Sequence, residues 1–526
     1  MLAVATAAVK SKNVTCLAPS DCSAGLGCFH SVCGPCATDA ACRASPSDVS
    51  KHCAHDHTSS VCMDKDVFSP FTSTDFLTAF LAILSTALGS ACGLGGGGLL
   101  VPIYIVVGGL NPKFAIPLSK ATIFGGALAT FYGNFRHKHP HASRRPVIDY
   151  ALAAMMEPPT LIGTIFGVMA NTVCPAWLIL ALLVSLIVFV TRRTLDKANK
   201  VGVASSQIAP DHSFQMYASE TSGTLLHKTK KPDAVAPSSA SLSPTARHDP
   251  TNDDDDDDDN DDKNPSSSSS HNTQDSVETQ TLLRDEANLF PFKTSVLPLV
   301  LGISVIFGQG LLRGGHGATS IVGISCGSPG FWLLILPPVA LLAWITYAMA
   351  KVLMHRTRVY EANSIEPVQG DVQWTPFLAC ISFPAHCVLA GIAASLLGIG
   401  GGIIQGPIMM EHGILPLVQS ATSSYMILFT SSATTIQFVI AGQFPGHLQY
   451  DYVLWYAFLG FLGGVLGKTV VEYLIHKSGR MSLVLYFLAV NGVIQVLVMG
   501  YIGVLTVIHD VHIGANLGFT SLCDGV

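Results

Sequence analysis

The sequence predicts an all-α polytopic membrane protein with two inverted repeats, each containing a helix that is broken by glycines. Three observations support this fold class. Of the 526 residues, 49% are hydrophobic and 12% are charged, a balance that soluble globular proteins do not have. Glycine runs that end in proline interrupt apolar stretches at 93–102 and again at 398–407. About twelve apolar segments, short limbs included, can be assigned around one long polar region.

The first predicted region, 1–70, contains eight of the 14 cysteines. Such a density is typical of a disulfide-rich ectodomain in an oxidising compartment. Four disulfides are expected, and the spacing leaves their pairing open. A zinc site is the alternative, because Cys33 and Cys36 are separated by two residues and three histidines follow. The sequon that begins at Asn13 agrees with an extracellular or lumenal location.

The first membrane repeat is expected over 74–191. A long limb, 76–91, precedes the glycines, and the limb after them, 99–110, is too short to cross roughly 30 Å of hydrocarbon. Unpaired backbone groups in hydrocarbon cost several kcal/mol each, so such a break must be buried in protein or line a polar cavity. Three full spans follow at 114–135, 147–170 and 176–191.

A polar region, 192–293, separates the first repeat from the rest of the membrane part. It contains nine aspartates between Asp253 and Asp262 and too few apolar residues to build a core. A disordered acidic cytoplasmic linker is therefore predicted. Two connecting spans, 295–312 and 331–354, lie within the next region, 294–375.

The second membrane repeat, 376–508, has the same succession of segments as the first. A limb leads into the second glycine break, and a short limb and three spans follow before a C-terminal tail at 509–526. Individual residues also recur at an offset of 305, so that Ser119 matches Ser424. Corresponding broken helices in two halves of a chain point to a transporter's binding site.

The basic residues predict the orientation of the two copies. The loop after 135 carries four Lys or Arg, whereas its counterpart at 442–450 carries none; conversely, 171–175 is uncharged and its counterpart contains Lys477 and Arg480. Because basic loops face the cytoplasm, the copies are inverted and the N-terminus lies outside. The membrane is expected to be the plasma membrane or a membrane of the secretory pathway.

The doubled motif resembles that of a known family. Two copies of Gly-x-Gly-Gly-Gly followed by proline, each leading into a span with Ser and Thr, are similar to the sulfite exporter TauE/SafE family over 76–191 and 293–507. The resemblance implies secondary transport of small anions, such as sulfite, sulfate-like or organosulfonate species, without an ATPase partner. The cysteine-rich region and the acidic linker depart from the compact bacterial pattern and suggest a eukaryotic member.

The candidate substrate-binding residues lie at the two breaks and in the spans that follow them. A helix N-terminus offers unpaired N–H groups and partial positive charge to an anion. We expect an alternating-access site formed by Gly95, Gly96, Gly97, Ser119, Lys120, Gly400, Gly401, Gly402, Ser423 and Ser424. Glycines could instead serve close helix packing and the hydroxyls helix–helix hydrogen bonds, and Lys120 could snorkel to the surface. Glu157, an acid within a span, is a candidate for coupling.

A membrane receptor or sensor that uses the cysteine-rich ectodomain is the alternative function. The doubled break favours transport, because signalling does not need it. No nucleophile with its base, membrane metal cluster or cofactor loop is recognisable, so no enzyme activity, metal or cofactor is predicted. The net charge of −6 reflects the aspartate run, and no nucleic-acid partner is indicated. The expected partners are a small anion and the lipid bilayer, and the oligomeric state stays open.

Overall fold

A computed structural model provides the structure, and the chain forms two units, 1–209 with 285–526, and 210–284. In the second unit the described residues are 279–284, which are helical. The aspartate run lies outside the described residues. The complete described set is 27–29, 32–34, 36, 38, 42, 51–56, 59–64, 67–68, 71, 73–91, 93, 95–110, 112–207, 279–314, 320–444, 449–478, 490, 492–501, 503–504 and 518–519.

Two antiparallel hairpins form the described part of the N-terminal region. Strand β1 (Gly27–Phe29) pairs with β2 (Val32–Gly34), and β3 (Lys51–Asp56) pairs with β4 (Ser59–Asp64). Two-stranded hairpins of this length are marginal in water unless something else fixes them. Covalent links between the hairpins are therefore the expected source of their stability.

Disulfides supply such links. Cys36 and Cys53 are bonded to each other with a Cα–Cα distance of 5.8 Å, and Cys42, which is also buried, is disulfide-bonded. Zinc needs free thiolates, which bonded cysteines do not offer. The structure thus favours disulfides over the zinc alternative at these three positions, and the side chains of the other five cysteines lie outside the described ones.

Five helices make up the first half of the membrane part. They are α1 (Ser73–Ala91), α2 (Gly97–Val106), α3 (Pro112–Asn134), α4 (Tyr150–Val173) and α5 (Ala176–Gln207). Helix α5 continues well past the expected end of its span at Thr191. The residues that follow, 192–200, contain neither proline nor glycine, so nothing local ends the helix where the membrane is expected to end.

The basic loop between α3 and α4 is an antiparallel hairpin rather than an irregular turn. Strand β5 (Lys138–His139) pairs with β6 (Ala142–Pro146). The carboxylate of Asp149 then accepts a hydrogen bond of 3.0 Å from the N–H of Leu152 and caps the start of α4. The hairpin and the Asp149 cap both fix the position at which the loop ends.

Eight described helices make up the rest of the membrane part. Short π-helical turns precede α6 and α9, at Phe292–Val296 and Leu378–Ser382. The helices are α6 (Leu297–Arg313), α7 (Pro329–Leu333), α8 (Leu336–Ala362), α9 (Phe383–Leu397), α10 (Gly402–Glu411), α11 (Pro416–Ile440), α12 (Gln449–Ser478) and α13 (Gly492–Tyr501).

Seven candidate membrane spans occur among the described helices, judged by length and apolar composition. Helices α2 and α10, which follow the two glycine breaks, have ten residues each and are too short to cross a bilayer. These features agree with a helical membrane protein that contains two short limbs. The twelve segments and their inverted arrangement stay predictions.

The two halves exchange helix contacts in a reciprocal way. Helix α4 of the first half packs on α9, and α12 of the second half packs on α1. Glycines make both crossings close: a Cβ at Gly163 would lie 2.2 Å from the carbonyl oxygen of Val388, and one at Gly467 would lie 2.1 Å from that of Ala87. One helix of each half therefore packs closely on the first helix of the other half.

We expect Gly163→Val and Gly467→Val to destabilise the protein, because the added Cβ would collide with backbone that cannot move locally. Overpacking costs typically about 1–3 kcal/mol. The apparent Tm of the purified protein in detergent measures the effect. Gly308→Val is the matched control, since nothing lies within 4 Å of a Cβ at that helical position. An equal Tm for all three variants would contradict the close crossings.

Charged side chains from separate parts of the chain meet at one end of the helix bundle. Arg145 and Arg356 both pair with Glu286, and Arg145 Nη1 lies 2.9 Å from Asp371 Oδ2. The Tyr360 hydroxyl donates to Glu286 at 2.7 Å. Burial disfavours the charged form of Arg145, but the two carboxylates outweigh it and raise the pKa of the guanidinium. These ion pairs connect segments that the sequence predicts on the cytoplasmic side.

Candidate functional site

The two glycine breaks adopt backbone conformations that other residues rarely reach. Gly96 ends the first break with φ 78°, and Gly398 opens the second with φ 71°. Both lie in the left-handed region, which glycine enters without a steric penalty. A ten-residue helix follows each break, with Pro102 in α2 and Pro407 in α10 at the same position. Each break thus contains a left-handed glycine and leads into a short helix, but the equivalent glycines Gly96 and Gly401 differ, since Gly401 has φ −55°.

The two breaks contact each other directly, although 305 residues separate them in sequence. A Cβ at Gly97 would lie 2.9 Å from the carbonyl oxygen of Gly398, and a Cβ at Gly402 would lie 2.6 Å from the carbonyl oxygen of Gly93. The two contacts are equivalent: adding 305 to the number of Gly97 gives Gly402, and subtracting 305 from that of Gly398 gives Gly93. Reciprocal contacts of this kind are those that a two-fold relation produces.

The short helices begin with the same hydrogen-bond pattern. In α2 the N–H of Leu99 donates to the carbonyl of Gly96 at 3.2 Å, and in α10 the N–H of Ile404 donates to that of Gly401 at 3.1 Å. The N–H groups of Gly97 and Gly98 in α2 and of Gly402 in α10 have no acceptor among the described residues, whereas that of Ile403 donates to the carbonyl of Gly400 at 3.1 Å. Both helices therefore present free donors and a partial positive charge at the place where the breaks meet.

The space around the glycines differs between the two breaks. A Cβ at Gly96 would lie 2.9 Å from the carbonyl oxygen of Ser85, so this glycine has a packing role. Among the described residues, a Cβ at Gly401 would meet only the side chain of Gln405, at 3.6 Å. Gln405 donates to the Thr160 hydroxyl at 2.6 Å, and its buried Oε1 has no partner among the described residues. The N-terminus of α10 therefore has open space and an unused polar atom beside it.

Ser119 and Lys120 of α3 both reach the second break. Ser119 Oγ donates to the carbonyl of Gly398 at 2.8 Å, and Lys120 Nζ donates to that of Ile399 at 2.6 Å. Lys120 is 1% exposed, so its side chain does not extend to the surface as snorkelling would require. A buried ammonium with one carbonyl acceptor keeps two donors for another group.

Glu157 supplies a buried carboxyl near the same region. The residue is 0% exposed, and its Oε1 accepts a hydrogen bond of 2.6 Å from Thr430 of α11. Its Oε2 has no partner among the described residues. A buried acid of this kind is costly in a membrane protein, so Glu157 stays a candidate functional group.

Some hydroxyl groups of α11 bond within their own helix, and others contact the second break or α4. Ser423 accepts from Gln419 at 3.0 Å and contacts the second break, since a Cβ at Gly402 would lie 3.4 Å from its Cβ. Ser424 donates to the carbonyl of Ser420 in its own helix at 2.9 Å. Thr430 instead joins α11 to α4. The break therefore has Ser423 beside it, whereas Ser424 has an internal partner.

The sequence analysis missed two polar residues of this region. Gln405 lies in the second short limb at the position that Leu100 occupies in the first, so a polar residue in an apolar limb was the available signal. Asn171 donates to the carbonyl of Leu396, just before the second break, at 2.9 Å. Its position in a stretch that the sequence predicts as an uncharged loop gave no comparable signal.

Comparison with known proteins finds similarity to one family. A model of the sulfite exporter TauE/SafE family matches residues 78–235. Sulfite exporter TauE/SafE family protein 3 of Arabidopsis thaliana is 26% identical over 447 residues, which are 85% of this chain and 82% of that protein. The chain is therefore similar to proteins of the TauE/SafE family. Family protein 2 of the same plant is 26% identical over 460 residues, 86% of this chain and 88% of its own.

These matches confirm the resemblance noted from the glycine motifs. The family is one of sulfite exporter-type membrane transporters, which supports anion transport in general. The names of these relatives give no support to the receptor alternative. No solved structure matches the chain.

Proposed function

We propose that this protein is a secondary transporter of small sulfur oxyanions, such as sulfite, sulfate-like ions or organosulfonates. The observation that carries the proposal is the direct contact between the two glycine breaks, with Lys120 hydrogen-bonded to the second. Free helix N-terminal N–H groups and an ammonium converge there. Oxyanions are the ligands that such groups bind.

In this proposal the anion lies at the N-terminus of α10, where Gly401 leaves space. The N–H groups of the short helices and the two remaining donors of Lys120 bind its oxygens. Ser119 and Ser423 border the second break and are available to the ligand. The full proposed set is Gly95, Gly96, Gly97, Ser119, Lys120, Gly400, Gly401, Gly402, Ser423 and Ser424, in which Gly95, Gly96 and Gly97 shape the first break.

Alternating access follows from the inverted arrangement of the two halves. The reciprocal break contacts and the reciprocal helix crossings support a pseudo-two-fold axis near this site. Arg145, Glu286, Arg356 and Asp371 come together at one end, which supports the common cytoplasmic location of their loops. The N-terminus then lies outside, in the plasma membrane or a membrane of the secretory pathway.

Uptake into vesicles reconstituted with the pure protein tests the proposal. Labelled sulfite, sulfate and an organosulfonate are compared with a labelled cation of similar size, in protein-containing and protein-free vesicles. We expect flux of at least one of the three anions above the protein-free rate and none of the cation. Equal rates with and without protein for all three anions would contradict the proposed function.

Lys120→Gln should weaken anion binding at least about tenfold, a loss of about 1.4 kcal/mol. The amide removes the positive charge, whereas Lys120→Arg keeps it and should retain part of the affinity. The apparent KM for the transported anion measures the effect in both variants. Arg144→Gln is the control, because it removes an exposed positive charge outside the site. An unchanged KM for Lys120→Gln would remove this residue from the site.

A further inference from the structure

A cavity with apolar walls and several polar side chains lies at the opposite end of the helix bundle from the Arg145 ion pairs. Its volume is about 360 Å³, within the range of small-molecule sites. It lies between the C-terminal ends of α4, α6 and α11. Polar side chains among its lining residues are those of Thr172, Gln309, Arg313, Ser320 and Gln437. Every one of these loop ends is predicted on the outer side of the membrane.

Arg313, the last residue of α6, is the charged group of this cavity. Its guanidinium lies over the ring of Phe331 with 3.9 Å between Cζ and the ring centroid. Its Nε is buried and has no hydrogen-bond partner, and no carboxylate pairs with it among the described residues. Residues 315–319, which are not described, contain no Asp or Glu. The cavity therefore carries a positive charge that the described chain does not compensate.

Stacking on Phe331 does not satisfy this side chain. A cation–π contact stabilises an arginine by about 0.5–2 kcal/mol, but it uses none of the five N–H donors of the guanidinium. A partly buried guanidinium with free donors favours a ligand with several anionic oxygens, which it can bind through two parallel hydrogen bonds. The ring holds the planar group in one orientation for such a ligand.

Polar groups continue from this cavity toward the buried acid. Gln437 of α11 lines the cavity and donates to the Thr164 hydroxyl of α4 at 3.2 Å. One helical turn further along α4 lies Thr160, which binds Gln405, and Glu157 follows. The line of polar side chains runs along the α4–α11 interface from the cavity to the second break.

We propose that the cavity around Arg313 is an outer oxyanion-binding site, which receives the anion before it reaches the glycine breaks. The role of this site in transport rests on the proposed function, whereas anion binding at the site does not. The ligand class is a soluble sulfur oxyanion, such as sulfate or a sulfonate. A soluble ion is favoured over a lipid headgroup because the polar line leads inward between helices.

Modification of arginine by phenylglyoxal tests the site in the intact wild-type protein. The rates at Arg313 and at exposed Arg144 are read from the same sample by peptide mass spectrometry, with and without sodium sulfate at constant ionic strength. Sulfate is used rather than sulfite, because sulfite cleaves disulfides and Cys326 at the cavity is disulfide-bonded. We expect sulfate to slow modification of Arg313 at least about fivefold and to leave Arg144 unchanged.

An Arg313 rate that does not respond to sulfate would overturn the proposal. A second arm replaces sulfate by vesicles of an anionic phospholipid; protection by lipid alone would assign the cavity to a headgroup and also overturn it. If the proposed transport function is wrong but this site exists, wild-type vesicles will show no anion flux while sulfate still protects Arg313. The two failures can therefore be distinguished. In vesicles that do transport, we expect Arg313→Gln to raise the KM for external anion and Arg313→Lys to restore part of it.

Discussion

Gly401→Leu should abolish anion transport while the protein still folds. The position has φ −55° and room for a Cβ, since among the described residues only the flexible Gln405 side chain lies near it, at 3.6 Å. A leucine there fills the space at the N-terminus of α10 and excludes an oxyanion from the free N–H groups. We expect less than about a tenth of the wild-type flux, with an apparent Tm within a few degrees of wild type.

Gly96→Leu gives the contrasting result. Its φ of 78° and the contact of 2.9 Å from a Cβ to Ser85 predict a folding defect rather than a selective loss of flux. Gly308→Leu, on an open face of α6, should change neither property. Wild-type flux in a folded Gly401→Leu protein would mean that the open space at the second break does not hold the anion.

Glu157→Gln should separate anion flux from the proton gradient. One oxygen of this carboxyl is bound by Thr430 and the other has no partner, so the group can gain and release a proton without breaking an ion pair. Glutamine has nearly the same shape but cannot carry the proton. We expect an imposed pH gradient to change the wild-type flux at least about tenfold and to leave the flux of the variant unchanged.

Glu366→Gln is the matched control, because it replaces an exposed carboxyl outside the membrane spans. Its response to the pH gradient should equal that of the wild type. Thr430→Val keeps the acid but removes the hydroxyl that binds it, so the response should change in size without disappearing. A wild-type response in Glu157→Gln would exclude this residue as the coupling group.

The breaks themselves could be predicted from sequence, because glycine runs inside apolar segments have few structural explanations. The inversion of the charge pattern predicted that both breaks contribute to one site, whereas their direct contact is visible only in the structure. The acceptor of Lys120 could not be predicted, since it is a backbone carbonyl 279 residues away. Sequence analysis also treated the glycines as equivalent, whereas packing leaves space at Gly401 and fills it at Gly96.

Charge patterns predicted loops more reliably than helix ends. The basic residues after Thr191 indicated a membrane boundary, but α5 continues to Gln207 because helix formation does not stop at a lipid surface. Arg313 carried a signal that was not used: a positive charge in a loop predicted outside runs against the general trend. Its free guanidinium became apparent only when Phe331 and the cavity were in view.

The most direct test of an anion site at the two breaks is an experimental structure of the wild-type protein with selenate, a heavier analogue of sulfate. The anomalous signal of selenium locates the ion without reference to the protein density. We predict a peak beside Gly401, with selenate oxygens about 3 Å from the N–H groups of α10 and from Lys120 Nζ. Selenium peaks elsewhere in the protein with none at the breaks would contradict the account.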